Sequence, residues 1–257
     1  ETNNTYTTKT ADISKDITCK VSATNAYGND GETSNALVPI AYNLASGLHE
    51  WNYQNATEVG TTVTAVDSGS IGGLNMTNPT ASQKPTLDSN GWTFDGASDV
   101  LTKNTTNFRG GDATGVIHCY VNYGSGSSNW FAVANSGDIV NYLVTSAIGI
   151  GQVQTNFKGT NIKRTTTIIS GMKLISHVQD GVTGSIFLDG VKVLSYANDT
   201  LGTNWLNGIT TNNISIGATI ASSPFYTVAV VKYISYCPYV NNATVTAEAN
   251  AILNGGL

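Results

Sequence analysis

The fold of this chain is decided by the stretch Gly184-Ser-Ile-Phe-Leu-Asp-Gly-Val-Lys-Val-Leu-Ser-Tyr196. Two runs rich in β-branched and aromatic residues flank Asp189-Gly190. Asp-Gly between alternating apolar residues is a strong signal for a hairpin, because a type I′ turn needs positive φ at both central positions. Side chains alternate between two faces along each run, as they do in half-buried strands. The stretch therefore predicts a β-hairpin whose turn is structural.

Further strand-like runs precede and follow this hairpin. Gly115–Tyr123 alternates cleanly between apolar and other residues. The remaining predicted strands cover residues 59–66, 130–134, 139–144, 148–157, 165–169, 172–178, 213–217 and 226–236. Turn signals separate the runs at intervals of about 8–12 residues, which is typical of a sandwich. The only helical pattern comes at the end, where Asn242 is the expected cap and Val245, Ala249 and Ile252 share one face.

Composition narrows the classes of function. Charged residues make up 11% of the 257 residues, against roughly 25% in ordinary soluble domains. The net charge is −5 and no basic run exceeds Lys163-Arg164, which argues against electrostatic binding to nucleic acid. No apolar run approaches the roughly 20 residues that a membrane helix needs. We therefore expect neither nucleic acid nor a membrane as a partner.

Cysteine usage points to thiols without a metal site. The three cysteines, Cys19, Cys119 and Cys237, cannot all pair within one chain. We expect Cys119 and Cys237 to be buried free thiols, and a disulfide between them is the alternative. No Cys-x-x-Cys pair and no Cys/His cluster in the sequence predicts a structural metal.

The N-terminal residues carry one resemblance to a known module. The run Asp16-Ile-Thr-Cys-Lys-Val-Ser-Ala-Thr-Asn-Ala-Tyr-Gly28, followed by a predicted turn and a returning strand over Thr33–Val38, resembles the last two strands of an immunoglobulin-like module. Such modules are common in phage virion proteins and bacterial surface proteins. A whole module needs roughly 100 residues. We therefore predict a partial module over residues 1–39 and a further segment upstream of Glu1 in the gene.

The remainder carries a second resemblance, which covers Ala41 to the C-terminus. A glycine-rich loop at Asp67–Leu74 is followed by Lys84-Pro-Thr-Leu87 and by Phe94-Asp-Gly-Ala-Ser-Asp-Val-Leu101. This order resembles the opening half of concanavalin A-like, laminin G-like jelly rolls, and the central hairpin resembles their closing half. The resemblance implies an all-β chain with a jelly-roll sandwich over residues 40–257 and a short terminal helix.

Catalysis is not expected from the residues present. Several glucanases share this jelly roll, and retaining glycosidases need two carboxylates about 5 Å apart, which on one strand means a spacing of two. No predicted strand carries such a pair. The histidines, His49, His118 and His177, come without a Gly-x-Ser-x-Gly elbow. We expect His118 and His177 at exposed or hydrogen-bonded strand positions, on the faces opposite the apolar residues. The sequence therefore predicts a protein that is not an enzyme.

Calcium is the one cofactor that the second resemblance brings into consideration. Laminin G-like and lectin jelly rolls often bind it through oxygen atoms of their loops. Asp95 and Asp99 are the candidate ligands, although both flank a predicted turn, where an aspartate can instead bond its own backbone. We expect no cofactor, with calcium at these residues as the alternative.

The candidate ligand site is the loop around Trp205. An exposed ring in Gly202-Thr-Asn-Trp-Leu-Asn-Gly208 could stack on a sugar, with Asn204 and Asn207 as hydrogen-bond partners. The alternative is a tryptophan that folds back to cover the end of the sandwich. Asn104-Thr-Thr106 matches the glycosylation pattern, which we attribute to the abundance of Asn and Thr.

The sequence thus favours a structural and adhesive module on a phage virion, as a capsid decoration, head fibre or tail-associated protein. The expected partners are other virion proteins or copies of the chain, with weak multivalent binding to host surface polysaccharide. The first alternative is a secreted bacterial adhesin or carbohydrate-binding module, and the second is a glycoside hydrolase whose catalytic motif differs from those considered above.

Overall fold

The computed structural model describes residues 20–25, 28–33, 49–126, 128–137, 142–148, 151–157, 161–197, 205–220, 224–237 and 241–254. The chain divides into two compact units, Glu1–Asn43 and Leu44–Leu257. In the first unit, β1 (Lys20–Asn25) pairs antiparallel with β2 (Gly28–Thr33), and Asn25 faces Gly28 across the hairpin. The turn predicted between Gly28 and Gly31 is wrong, because these residues belong to β2.

Other expectations for the N-terminal unit stay predictions. Cys19 and residues 34–38 lie outside the described residues, and a lone antiparallel pair is too general to identify an immunoglobulin-like module. The boundary between residues 39 and 40 stays a prediction as well.

The second unit is a sandwich of two antiparallel sheets, as the sequence predicts. The first sheet has the strand order β17-β16-β15-β10-β21-β8-β7, with β3 also paired to β21. Its strands are β3 (His49–Asn52), β7 (Thr86–Asp88), β8 (Gly91–Asp95), β10 (Gly115–Ser125), β15 (Met172–Gln179), β16 (Thr183–Leu188), β17 (Val191–Ala197) and β21 (Val228–Cys237).

The second sheet has the order β14-β13-β12-β11-β18-β9-β6-β5-β4. Its strands are β4 (Thr57–Val59), β5 (Thr62–Ala65), β6 (Met76–Thr77), β9 (Leu101–Asn104), β11 (Ser128–Ala134), β12 (Tyr142–Ile148), β13 (Gln152–Phe157), β14 (Asn161–Ile168) and β18 (Asn213–Ile216). Two further strands, β19 (Ala218–Thr219) and β20 (Phe225–Tyr226), form a small hairpin. Short 3-10 turns lie at Tyr53–Asn55, Ala81–Gln83 and Leu206–Gly208.

One hydrophobic core fills the space between the sheets. It takes Ile117, Cys119 and Val121 from the central strand of the first sheet and faces them with Phe131 and Val133 of the second. Large aromatic side chains carry much of this burial, and the fully buried tryptophans are Trp51, Trp92, Trp130 and Trp205. Cys119 and Cys237 are both buried free thiols, as predicted.

The hairpin that anchors the sequence analysis is present as predicted. Leu188 pairs with Val191 across a two-residue turn, and both central residues have positive φ, 48° at Asp189 and 80° at Gly190. Asp189 also caps the neighbouring strand, because its Oδ1 accepts a hydrogen bond from the Leu174 backbone N–H at 3.0 Å. The turn is therefore fixed by local conformation and by a contact to β15.

The one α-helix within the described part of the chain, α1 (Asn242–Leu253), covers the outer face of the first sheet. Asn241, one residue before the predicted cap, accepts a hydrogen bond from the Thr244 backbone N–H at 2.9 Å. Val245, Ala249 and Ile252 are buried against the sheet, as predicted. Beneath this helix, the first sheet is therefore buried on both faces, by the second sheet on one side and by α1 on the other. A two-layer sandwich without the helix would bury only the inner face.

Candidate functional site

Trp205 is not available to a ligand. Its side chain is 0% exposed, and its ring meets His177 edge-on at a centroid distance of 5.0 Å and stacks on Tyr236 at 6.4 Å. The expected sugar platform is therefore wrong, and the alternative position, folded back over the end of the sandwich, is the one observed. The physical reason is that burying the large apolar ring in the core stabilises the protein by more free energy than an exposed ring would gain from a weak contact with a sugar.

The two asparagines proposed beside Trp205 do not form a site with it. Asn207 is exposed, and its backbone N–H donates to the Asp112 carbonyl at 3.0 Å. Asn204 lies outside the described residues. Without the ring, Asn207 is an ordinary surface amide.

Asp95 and Asp99 are occupied by their own loop. The Asp95 Oδ1 accepts hydrogen bonds from the backbone N–H groups of Ala97, Ser98 and Asp99 at 2.8–3.2 Å. Burial opposes ionisation of Asp95, but these hydrogen bonds outweigh it and lower its pKa. Burial and the charge of Asp95 raise the pKa of Asp99, whose Oδ2 accepts from the Asp95 backbone N–H at 3.1 Å. Both carboxylates thus take the alternative role of ordering a turn, and calcium at this loop stays a prediction without support from geometry.

The three histidines are buried and lie in different environments. His49 contacts Asp67 at 2.8 Å, where the carboxylate organises the Asp67–Leu74 loop. His177 faces the core, contrary to its predicted face, and burial lowers its pKa to about 3. His118 lies on the outer face beneath α1. Among the residues that the structure describes, none of the three histidines lies beside a second histidine or a solvent-exposed serine nucleophile.

A shallow polar depression lies at one end of the second sheet. Its volume is about 360 Å³, and it is lined by Asn104, Thr105, Thr106, Ser136 and Asn212. The lining offers amide and hydroxyl groups and no charged side chain. This chemistry suits a neutral, hydroxyl-rich ligand, because such a ligand exchanges its hydrogen bonds to water for hydrogen bonds to protein.

Backbone hydrogen bonds hold the segments around this depression together. The Thr105 N–H donates to the Asn212 carbonyl, and the Asn212 N–H donates to the Ala134 carbonyl, both at 3.0 Å. The Asn212 side chain accepts from the Ser136 N–H at 2.9 Å and donates to the Ser136 hydroxyl at 3.0 Å. The depression is therefore formed before any ligand arrives, which lowers the entropic cost of binding.

Asn213 lies on the strand beside the depression but does not line it. It pairs with Asn104 on one side and Ala134 on the other. The side chain of Asn213 is buried; it donates to the Asn212 side chain and the Ile220 carbonyl, and its Oδ1 accepts no hydrogen bond from the described residues. Because this oxygen is buried outside the depression, the site does not depend on it.

Sequence reasoning missed this site for a physical reason. Asn104-Thr-Thr106 matches only a glycosylation pattern, and Asn212 belongs to no motif. The residues that line the depression span more than 100 positions in the sequence and meet because β9, β18 and β11 are neighbours. A cluster of amides and hydroxyls has no spacing rule that could reveal it.

Comparison with known proteins gives matches in structure alone. No protein-family model and no curated protein matches the sequence. The sialidase of Trypanosoma rangeli matches with a TM-score of 0.59 and 12% identity, over 81% of this chain and 33% of the sialidase. The NanB sialidase of Streptococcus pneumoniae, in a structure with optactamide, matches with a TM-score of 0.51 and 13% identity, over 61% of this chain and 27% of NanB.

A smaller structure also matches. It is the CBM40 of the Ruminococcus gnavus IT-sialidase bound to α2,6-sialyllactose, with a TM-score of 0.46 and 12% identity, over 51% of this chain and 81% of the CBM40. The chain spans about a quarter to a third of the length of the two sialidases above. At these identities the matches show the all-β fold.

These matches correct the expectation that the protein is not an enzyme. The chain shares its fold with parts of sialidases, which are glycoside hydrolases. Sialidases use a tyrosine nucleophile and are exceptions to the carboxylate-pair rule, so the missing pair was the wrong criterion.

No helix within the described ranges is long and apolar enough to span a membrane.

Proposed function

We propose that the sandwich of residues 44–257 is an extracellular carbohydrate-binding module that takes a neutral glycan in the depression between Asn104 and Asn212. The observation that carries the proposal is the lining itself, in which amides and hydroxyls surround a preformed space of about 360 Å³. Such a volume lies at the small end of ligand sites, which suits one or two sugar rings.

The charge of the lining determines the class of glycan. A sialylated sugar carries a carboxylate, and protein sites for carboxylates commonly supply arginine or another cation. The depression offers none among its lining residues. A neutral sugar therefore fits better, although the sialidases that share the fold act on charged ones.

The structural matches support this proposal over the virion role. They relate the fold to parts of two sialidases, which are glycoside hydrolases. On this proposal, the chain is one module of a secreted or surface-exposed protein that acts on or adheres to glycans. Capsid decoration, a fibre role and virion partners remain predictions from the sequence.

The test is binding of the full chain, displayed in many copies, to an array of neutral and sialylated glycans. Asn104→Ala should weaken binding about tenfold, because it removes an exposed amide that makes no hydrogen bond within the described residues and so costs one or two ligand contacts. Its thermal midpoint should match that of the wild type.

The matched control is Asn207→Ala, which removes an equally exposed amide outside the depression. It should leave binding unchanged. If both variants bind as the wild type does, or if the bound glycans are all sialylated, the depression is not the site proposed here.

A further inference from the structure

We infer that His118, Cys237 and Glu248 form a binding site for a single transition-metal ion of the zinc type, between α1 and the outer face of the first sheet. This site is independent of the proposed glycan depression, which belongs to the second sheet. The three ligand atoms all lie within 4.8 Å of one another.

Three separate elements bring these side chains together. His118 projects from the centre of β10, Cys237 ends β21, and Glu248 reaches down from α1. All three are buried, at 0%, 0% and 1% exposure. Helix α1 also has positions that are exposed to solvent, yet Glu248 lies at a buried one. A buried carboxylate is costly without a partner of opposite charge, so the position of Glu248 calls for such a partner.

The spacing is close to what a tetrahedral ion requires. The His118 Nε2 lies 3.1 Å from the Glu248 Oε2, and the Cys237 Sγ lies 3.7 Å from the same oxygen. Zinc bonds of about 2.0–2.3 Å to nitrogen, oxygen and sulfur place neighbouring tetrahedral ligands about 3.3–3.8 Å apart. Small side-chain rotations are therefore enough to admit an ion.

The ring of His118 is already oriented for coordination. Its Nδ1 contacts the Ser176 hydroxyl at 2.8 Å, which leaves the Nε2 facing Cys237 and Glu248. Histidines that bind metals almost always engage their second ring nitrogen in this way, because that contact fixes the tautomer and the ring orientation. Ser235, on the other side of His118 in the sheet, is also fully buried and adds a further hydroxyl on this face.

Charge balance also favours a divalent ion. With an ion bound, a Cys237 thiolate and a Glu248 carboxylate would together carry two negative charges, which a divalent cation would neutralise among Val116, Phe187 and Val245. Imidazole, thiolate and carboxylate are all established zinc ligands. The rival explanation is a hydrogen-bonded clasp without metal, in which Glu248 accepts from His118 and from the thiol.

The experiment compares the chelator-treated full chain before and after addition of one equivalent of Zn²⁺. We expect one bound zinc per chain by elemental mass spectrometry after desalting. At a free zinc concentration 100 times the Kd, the thermal midpoint should rise by about 5–10 °C. Co²⁺ in place of Zn²⁺ should give a sulfur-to-cobalt charge-transfer band in the near ultraviolet, which a clasp without metal cannot produce.

The matched variants are Cys237→Ser and Cys119→Ser, because both remove a fully buried free thiol and only the first belongs to the site. Cys119→Ser should keep one equivalent of zinc and the cobalt band, and Cys237→Ser should lose both. Glu248→Gln preserves shape and should bind zinc at least tenfold more weakly.

A folded wild-type chain that retains no zinc, shows no cobalt band and does not change its thermal midpoint would overturn the inference and leave the clasp. Equal zinc content in the two cysteine variants would overturn it as well. The wild-type measurement decides the matter even if a variant does not fold.

Discussion

The side chain of Trp205 shows how the role of one residue changes when its burial is known. The structure places the ring against His177 and Tyr236 in the core, so Trp205→Ala should act on stability. Truncation of a buried tryptophan leaves a cavity and costs about 3–5 kcal/mol. Urea unfolding should show this loss, whereas Asn207→Ala should change the free energy of unfolding by less than about 0.5 kcal/mol. A loss below about 1 kcal/mol for Trp205→Ala would contradict the buried position.

Sequence reasoning at the scale of residues succeeded where a residue's role is local. Local backbone conformation determines the turn at Asp189 and Gly190, and nearby N–H groups determine the Asx-type role of Asp95. Both features depend on residues that are adjacent in the sequence. Trp205 and His177 were harder, because their environment is set by strands far away in the sequence. His118 and Cys237 were seen separately, and only the register of β10 against β21 brings them together.

The hairpin of β16 and β17 is the element whose sequence signal and structure agree most closely. Gly190 has φ of +80° and a virtual Cβ that would lie 3.4 Å from the Ala249 side chain. A β-branched residue is strained in that conformation, so Gly190→Val should cost about 1–3 kcal/mol. Gly111→Val is the matched control, since a Cβ there meets nothing within 4 Å. Chemical denaturation of both variants measures the difference, and equal stabilities would mean that the turn tolerates ordinary residues.

Other elements show where alternation alone misleads. Residues 59–66 read as one strand, yet the chain reverses at Gly60-Thr61 to form β4 and β5. Gly60 has φ of +59°, which fits a turn, but Thr61 gives no turn signal of its own. The position of α1 was also not predictable, because three apolar residues at helical spacing do not say which sheet they cover.

The stability of the whole molecule should depend on pH through His177. Burial keeps its imidazole neutral and lowers its pKa to about 3, whereas in the unfolded chain it binds a proton below about pH 6.5. The unfolded state thus gains protons as the pH falls from about 6.5 toward 3, and the free energy of unfolding decreases by up to about 1.4 kcal/mol per pH unit.

Asp67 acts in the same direction at lower pH. Burial opposes its ionisation, but the contacts with His49, Glu50 and Leu74 outweigh burial and lower its pKa, so its contribution disappears as the pH drops through the acid range. Urea unfolding between pH 7 and pH 4 tests the histidine. His177→Gln should flatten the slope over this range, and an unchanged slope would mean that His177 is not the group responsible.

At this largest scale the sequence predicted the class of fold and not the location of function. Turn residues, alternation and low charge were sufficient for an all-β sandwich. The expectation that the protein is not an enzyme was wrong. It rested on the absence of one catalytic arrangement, whereas hydrolases that use another arrangement also contain this fold. The polar depression depends on which strands are neighbours, and a single sequence does not encode that choice in any short motif.

The position of β21 has a consequence for how the chain is made. This strand lies in the interior of its sheet and joins β10 to β8, so Val116 pairs with Cys237 and Trp92 with Val231. During synthesis, β3, β8 and β10 emerge from the ribosome before the strand with which they pair. Pairing of these strands with β21 spans long sequence distances and is therefore slow. Until β21 arrives, the unpaired edges of β8 and β10 are sites at which the nascent chain can aggregate.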